Sequence, residues 1–493
     1  MEQNRREFLK MAVLGAGWLT FGGCSFESCL QQIANRPIRK DVNTLAANDP
    51  IIQAYKSAVS QMKALPAGDP RNWINQANIH ANHCPHGNWF FLPWHRWYLT
   101  YFERICQKLT GMPDFALPYW NWVKDPTVPA VFWGDAGNPL YDSTRQIAPN
   151  QAIDPSLVGC SVVGTIMSDA NFIDFASDPI TLAQDQRTVA GFGSLEGTPH
   201  NGVHGAVGGD MGQIALSPRD PIFWLHHNMI EKCWVEWQFV RNNANTNDNN
   251  WTSRHFTEFF DPDGNPVDVQ VGIGQLLPVL SYQFDSLPVV PSPCPATGLT
   301  PPPAGNQWAA AWEKFNTVKT RADQDALKAR AQAGASVKLE EILRFPLGAP
   351  ATIAVGRPAR LRISAPPASL KMALSAGERV LIRFDGVTLN HTTDFFAKVF
   401  IAKPDAAAST PDSDPHFVGS FAFFNHDHGG AAVRGNFHLD ASAAVKRLDL
   451  AGNSVEVNVV LTPFPKRVLK SNVLEIAATE IQIVKDVIER GVK

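Results

Sequence analysis

Charge is scarce in this chain. Of its 493 residues only 18% are Asp, Glu, Lys or Arg, and the formal net charge is −3. That balance offers no electrostatic footprint for a nucleic acid or another polyanion. Cysteine is sparse too: seven residues, at positions 24, 29, 84, 106, 160, 233 and 294, with no CxxC pair. Zinc ribbons and thioredoxin-type motifs are thereby excluded. After residue 24 no run is long and apolar enough to cross a bilayer. Near the histidines no thiolate or carboxylate recurs at ligand spacing, which argues against a two-zinc hydrolase with bridging carboxylates.

Aromatic and apolar side chains are plentiful. Apolar residues make up 44%, with 14 Trp and 29 Phe, enough for a large core and two or three domains. The 37 prolines point to long irregular connections.

Residues 1–23 hold Asn4-Arg5-Arg6-Glu7-Phe8-Leu9-Lys10 and then an apolar run from Met11 to Phe21. Paired arginines before Phe-Leu-Lys resemble the bacterial twin-arginine export signal. The expected destination is the periplasm or the exterior. Gly22-Gly23-Cys24 loosely resembles a lipobox, so Cys24 is a candidate lipid anchor.

Apolar periodicity predicts helices over 48–65, 71–80, 93–109, 199–206 and 220–241, with long loops over 125–190. Together they suggest a helical bundle with a site between facing helices. Residues 291–305 are proline-rich and a short charged helix is expected over 308–332. From about 352 onward short β-prone runs alternate with turns, as in an antiparallel β-sandwich or barrel. The expected division is an export signal (1–23), a helical core (24–290), a linker with a short helix (291–345) and a β-rich domain (346–493).

The helix from Pro93 carries His95 among apolar neighbours on nearly every side, and a buried imidazole must be hydrogen-bonded or metal-bound. His86 and His80 precede it. Downstream, His200 and His204 are four apart on one helix face, and His226-His227 stand on another helix. His86 and His95 are nine apart, on opposite sides of any single helix, so His86 must enter from a loop. Two three-histidine sets result. All-imidazole sites with open positions suit copper or zinc.

Two motifs carry a resemblance. His86-x4-Phe91-Leu92-Pro93-Trp94-His95-Arg96-x2-Leu99-x3-Glu103 is similar to the first copper signature of tyrosinases and polyphenol oxidases. Asp220-Pro221-Ile222-Phe223-Trp224-Leu225-His226-His227-x3-Glu231 is similar to the second, where the family usually has Asp in place of Glu231. The likeness spans roughly 40–485, and the chain resembles a bacterial member of the plant-type branch. It implies two copper ions per chain, one held by His80, His86 and His95 and the other by His200, His204 and His227, with O2 as co-substrate. His226 would line the pocket.

It further implies a Cys84–His86 thioether, Glu196 and Asn201 serving proton removal from monophenols, and Ile214 and Gly205 at the pocket gate. Arg96, Phe223 and Glu231 would stand behind the ligands. The implied activity is hydroxylation of monophenols and oxidation of o-diphenols to quinones. The alternatives are a diphenol-only catechol oxidase, an o-aminophenol oxidase and, in another class, an oxygen carrier. Small phenols and a copper chaperone are the implied partners. The C-terminal domain would shield the site as in a zymogen, with Phe417, Phe421, Phe423 and Phe424 as candidate plugs.

Overall fold

The computed structural model describes residues 36–286, 288–290, 336–346, 350–354, 356–389, 394–424, 433–464, 467 and 473–489. The expected export signal, Cys24, the proline-rich stretch and the helix at 308–332 lie outside them.

Helix α1 (Pro50–Ala64) begins where the Asp49 carboxylate accepts from the Ile51 N–H at 2.8 Å, with Pro50 in the first turn. Asn72 caps α2 (Trp73–His83) in the same way. Helix α3 (Phe91–Thr110) is buried at every residue from Phe91 to Glu103, as a helix apolar all round must be. Besides a four-residue helix at Pro155–Val158, the stretch expected as long loops holds α4 (Cys160–Ser168) and α5 (Phe172–Ala176). At nine and five residues they are too short to show a helical period in sequence. Helices α6 (Asn201–Val207) and α7 (Ile222–Val235) complete the site. A π-helical turn, Glu196–His200, leads into α6. Functional sites often carry such turns.

Cys160 is disulfide-bonded, to a partner outside the described residues. Cys84, Cys106 and Cys233 are buried and not disulfide-bonded.

The C-terminal third is built from β1 (Ser336–Pro346), β2 (Ala351–Ala354), β3 (Ala359–Ile363), α8 (Pro367–Ser375), β4 (Arg379–Leu389), β5 (Phe395–Ile401), β6 (Phe417–Ala422), β7 (Val433–Asp440), α9 (Ser442–Arg447), β8 (Val455–Pro463), β9 (Val473–Ile476) and β10 (Ala478–Glu489). One antiparallel sheet runs β6-β5-β8-β3. The other runs β1-β10-β4-β9-β2, with β7 paired to β4. Alternate residues such as Ile382, Phe384, Val399, Phe421, Val457 and Ile481 fill a shared apolar core.

Strand β1 starts ten residues before the expected boundary at 346. Its register with β10 runs from Ser336 opposite Glu489 to Pro346 opposite Glu480. Lys338, Glu340, Glu341 and Arg344 make this segment read as a solvated connection. Pairing with β10, and the Arg344 ion pairs to Glu341 and Glu480 at 2.6 and 3.2 Å, decide otherwise. The sheet region seats on the core through backbone as well as side chains: the Phe192 N–H donates to the Asn436 carbonyl at 2.9 Å, and its ring stacks on Phe437 at 5.0 Å.

Candidate metal centre

Seven histidines converge between these helices. His80 comes from α2, His86 from the following loop, His95 from α3, His200 from the π turn, His204 from α6, and His226 and His227 from α7. Every ring is at most 3% exposed. His80, His86 and His95 form a near-equilateral set with centroids 5.3, 5.4 and 5.4 Å apart. His200, His204 and His227 form a second, at 4.6, 4.9 and 5.4 Å. His95 stacks on His227 at 4.3 Å, so the two sets abut. His226 stacks on His200 at 5.4 Å and shares the second cluster. Only His227 of the tandem pair also has a ring nitrogen within 4.8 Å of those of His80 and His95.

Backbone carbonyls set the tautomers. The Nδ1–H groups of His80, His95 and His204 donate to the carbonyls of Ile214, Phe91 and Met211 at 2.9, 2.8 and 2.7 Å. His200 Nδ1 donates to Asn201 Oδ1 at 2.9 Å. A carbonyl only accepts, so each of these rings keeps its lone pair on Nε2. Burial pushes His95 down to about 3 and the other four, His200, His204, His226 and His227, well below the usual imidazole range. The rings are therefore neutral at pH 7. The Nε2 atoms of His95 and His200 are buried without a hydrogen-bond partner, while those of His204 and His227 face each other at 3.2 Å. Buried lone pairs that meet no donor are costly unless a cation takes them. The donor set thus fits soft-to-borderline metal ions bound by imidazole alone, copper or zinc.

Aromatic rings hold the ligands from behind. Phe91 packs 4.6 Å from His200 and 4.8 Å from His95, and Phe223 lies 4.2 Å from His227 and 5.0 Å from His80. Arg96 Nε donates to both oxygens of Glu231, at 2.9 and 3.0 Å, tying the residue after His95 to α7. Tyr282 donates to the same carboxylate at 2.6 Å, and Trp234 stacks over the guanidinium at 3.4 Å. Both charged side chains are at most 2% exposed. Removing one partner of such a pair strands the other charge. Glu231→Ala should therefore lower unfolding stability by about 3–5 kcal/mol, read from urea unfolding of the copper-free protein; a loss below about 1 kcal/mol would contradict a bracing role.

The Glu196 carboxylate accepts from the Gly87 N–H at 2.8 Å and the Ser177 hydroxyl at 2.6 Å. Burial pushes it up to about 8, against those two bonds. It thereby braces the loop that delivers His86. Gly87 has φ +64, and a Cβ there would lie 2.8 Å from Val189 Cγ1, so glycine alone suits the turn. The sulfur of Cys84 and the ring nitrogens of His80 and His86 lie within 4.8 Å of one another. Ile214 is buried, and the part it brings to the ligands is its carbonyl on His80.

The C-terminal sheet covers this centre. Phe424, just past β6, stacks on His204 at 3.9 Å and 21°, and lies 5.4 Å from His86 and 5.7 Å from His200. Of the four candidate aromatics, Phe421 and Phe423 instead pack around Phe437 in the C-terminal core, and Phe417 packs on Phe400. Core side chains grip the backbone of the covering strand: Thr198 Oγ1 donates to the Ser420 carbonyl at 2.7 Å, and Asn201 Nδ2 to the Ala422 carbonyl at 2.9 Å. Phe464 lies so close to Gly205 that a Cβ there would sit 2.4 Å from its ring, and Arg467 donates to the Gly205 carbonyl at 3.2 Å. Sequence reasoning missed Ala422, Phe464 and Arg467. A backbone carbonyl has no residue signature, and the other two meet α6 only across the domain joint.

Among known proteins, the family model "Common central domain of tyrosinase" matches residues 70–184 and 164–239. The chain is 27% identical over 504 residues to (+)-larreatricin hydroxylase of Larrea tridentata, covering 92% of this chain and 80% of that protein. It is 31% identical over 309 residues to polyphenol oxidase A1 of Vicia faba, covering 52% of this chain and 49% of that one, so it spans about half the length of that relative. Latent apple tyrosinase shares the fold at 22% identity, with a TM-score of 0.64 over 91% of this chain and 97% of the other.

Proposed function

We propose that this chain, a member of the tyrosinase and polyphenol oxidase family with a C-terminal domain, oxidises phenols with O2, hydroxylating monophenols and converting o-diphenols to o-quinones. The observation that carries this reading is the pair of abutting, buried imidazole triads, their ring centroids 4.6 to 5.4 Å apart within each set and the two sets in contact through His95 and His227. His80, His86 and His95 would hold one copper; His200, His204 and His227 would hold the second. Bound there, the two ions would accept the electrons of the phenol and pass them to O2. The protein's part is to hold the rings, exclude water and move the phenolic proton.

Glu196 and Asn201 are proposed for that last task. Burial makes Glu196 a stronger base than an exposed carboxylate. Asn201 adjoins His200 and would orient the water that takes the proton. With the C-terminal domain seated, its amide is committed to Ala422, so this role belongs to the uncovered enzyme. Asn201→Gly should lower monophenol turnover at least about tenfold more than diphenol turnover, a differential of about 1.4 kcal/mol. An equal loss on both substrates would remove the proton-transfer role and favour the diphenol-only reading. Steady-state rates on paired mono- and diphenols, including an o-aminophenol, test the function as a whole.

Cys84 is proposed to bond through sulfur to a ring carbon of His86, fixing that ring on its loop. Peptide mapping of copper-loaded protein should show the two joined with two hydrogens missing. An alkylatable Cys84 in active enzyme would refute the bond.

We place the core at 24–290 and read the β-rich part, from Ser336 on, as a shield that must move for bulky substrates. The family's proteins include one whose structure is called latent. Export by the twin-arginine route, loading by a copper chaperone and a lipid anchor at Cys24 remain proposals from the sequence; the disulfide at Cys160 is in keeping with an oxidising compartment. Among the described residues no helix is long and apolar enough to cross a membrane.

A further inference from the structure

Away from the metal centre, the domain joint gathers an excess of carboxylates around one guanidinium. Arg379 of β4 reaches into the core, where Nη1 meets Asp169 at 2.8 Å and Nη2 meets Asp174 at 2.8 Å. Its Nε lies 3.8 Å from Asp440 at the end of β7 and 3.8 Å from Asp486 of β10. Asp169 follows α4 and Asp174 belongs to α5, so two carboxylates come from the core and two from the sheet domain. His438 of β7 donates through Nε2 to the Asp174 carbonyl at 3.0 Å and lies 3.5 Å from its Oδ1. Arg383 of β4 acts on Asp174 from further off. One guanidinium cannot balance four carboxylates, and only seating of the domain brings the four together.

We infer that seating the C-terminal domain takes up a proton at this joint, so that the covered state tightens as the pH falls from neutral to mildly acidic and loosens as it rises. This rests on the reading that the domain must leave the pocket for bulky phenols to enter.

Burial pushes Asp174 up to about 6 from the ordinary 3.8, with Asp169 adding to the rise and His438, Arg379 and Arg383 opposing it. Desolvation also pushes the half-buried Asp486 up. Arg379 loses solvation, yet Asp169, Asp440 and Asp174 raise it overall, so it stays charged. A carboxyl that binds its proton more tightly when covered favours the covered state below its raised value. The advantage fades as the pH climbs through that value.

The test compares copper-loaded full-length protein with the same protein cleaved within 291–335, on a bulky catechol. Taking the ratio of cleaved to intact turnover cancels the pH dependence of the chemistry. Between about pH 7.5 and about pH 5.5 the ratio should rise several-fold, within the limit of tenfold per pH unit for one linked proton. Asp174→Asn, which imitates the protonated carboxyl, should raise the ratio at the higher pH and flatten its pH dependence, leaving the cleaved form unchanged. If that variant does not fold, Asp486→Asn on β10 should give a smaller flattening. A ratio above one that ignores pH, or falls with acid, overturns the coupling and leaves the shield reading intact. A ratio of one at every pH removes both.

Discussion

His95→Ala and His227→Ala should each abolish phenol oxidation, lowering catechol turnover by three orders of magnitude or more, on the order of 4 kcal/mol of transition-state stabilisation. The two rings differ in position but share a consequence. His95 lies on α3 with Nδ1 tied to the Phe91 carbonyl at 2.8 Å, so its Nε2 has one direction to face. His227 stacks on it at 4.3 Å and stands at the seam of the two triads. Removing either leaves one metal with two imidazoles. Copper analysis should fall from two ions per chain toward one. The fold should survive, because α3 and α7 are packed by Trp94, Phe102, Phe223 and Trp224 independently of the metal; Phe102 and Trp224 stack at 3.4 Å. Far-UV circular dichroism therefore stays native while activity vanishes. Near-normal turnover with two coppers in either variant would mean that the ligands lie elsewhere.

Cleavage between the core and β1 should produce the second large effect, a rise of tenfold or more in turnover of bulky catechols, measured near neutral pH. Phe424 stacks on His204, and on the shield reading it takes the place of a phenol ring. Burying one such ring is worth about 2 kcal/mol. Being tethered, it competes at an effective concentration far above that of a free substrate. Phe424→Ala in the intact chain should give only part of the gain, because Phe464 and Arg467 still cover Gly205 and Asn201 still grips Ala422. If the alanine variant and the cleaved enzyme both turned over bulky catechols at the intact rate, Phe424 would be packing rather than plug.

Local sequence carried much of this. The helices over 48–65 and 71–80, the apolar helix around His95 and the alternating strands were readable because each depends on neighbours within a few residues. The histidine sets were readable because ligand spacing on a helix, four apart for His200 and His204, is a local geometry. The motif around His86 and His95 narrowed the metal to copper, which donor chemistry alone left open with zinc.

Long-range pairing was not readable. Strand β1 looks like a charged connection until β10 lies beside it. The choice of Phe424 over its three neighbours depends on where β6 ends against α6. The bond from Asn201 to Ala422 ends on a backbone carbonyl, the same group at every residue. The sequence by itself determined which histidines come together as candidate ligands and which elements hold them, because those follow from side-chain type at fixed short spacing. Tertiary structure alone decided what covers the centre and which carboxylates share Arg379, because such contacts join residues about 200 apart and depend on how two independently packed cores meet.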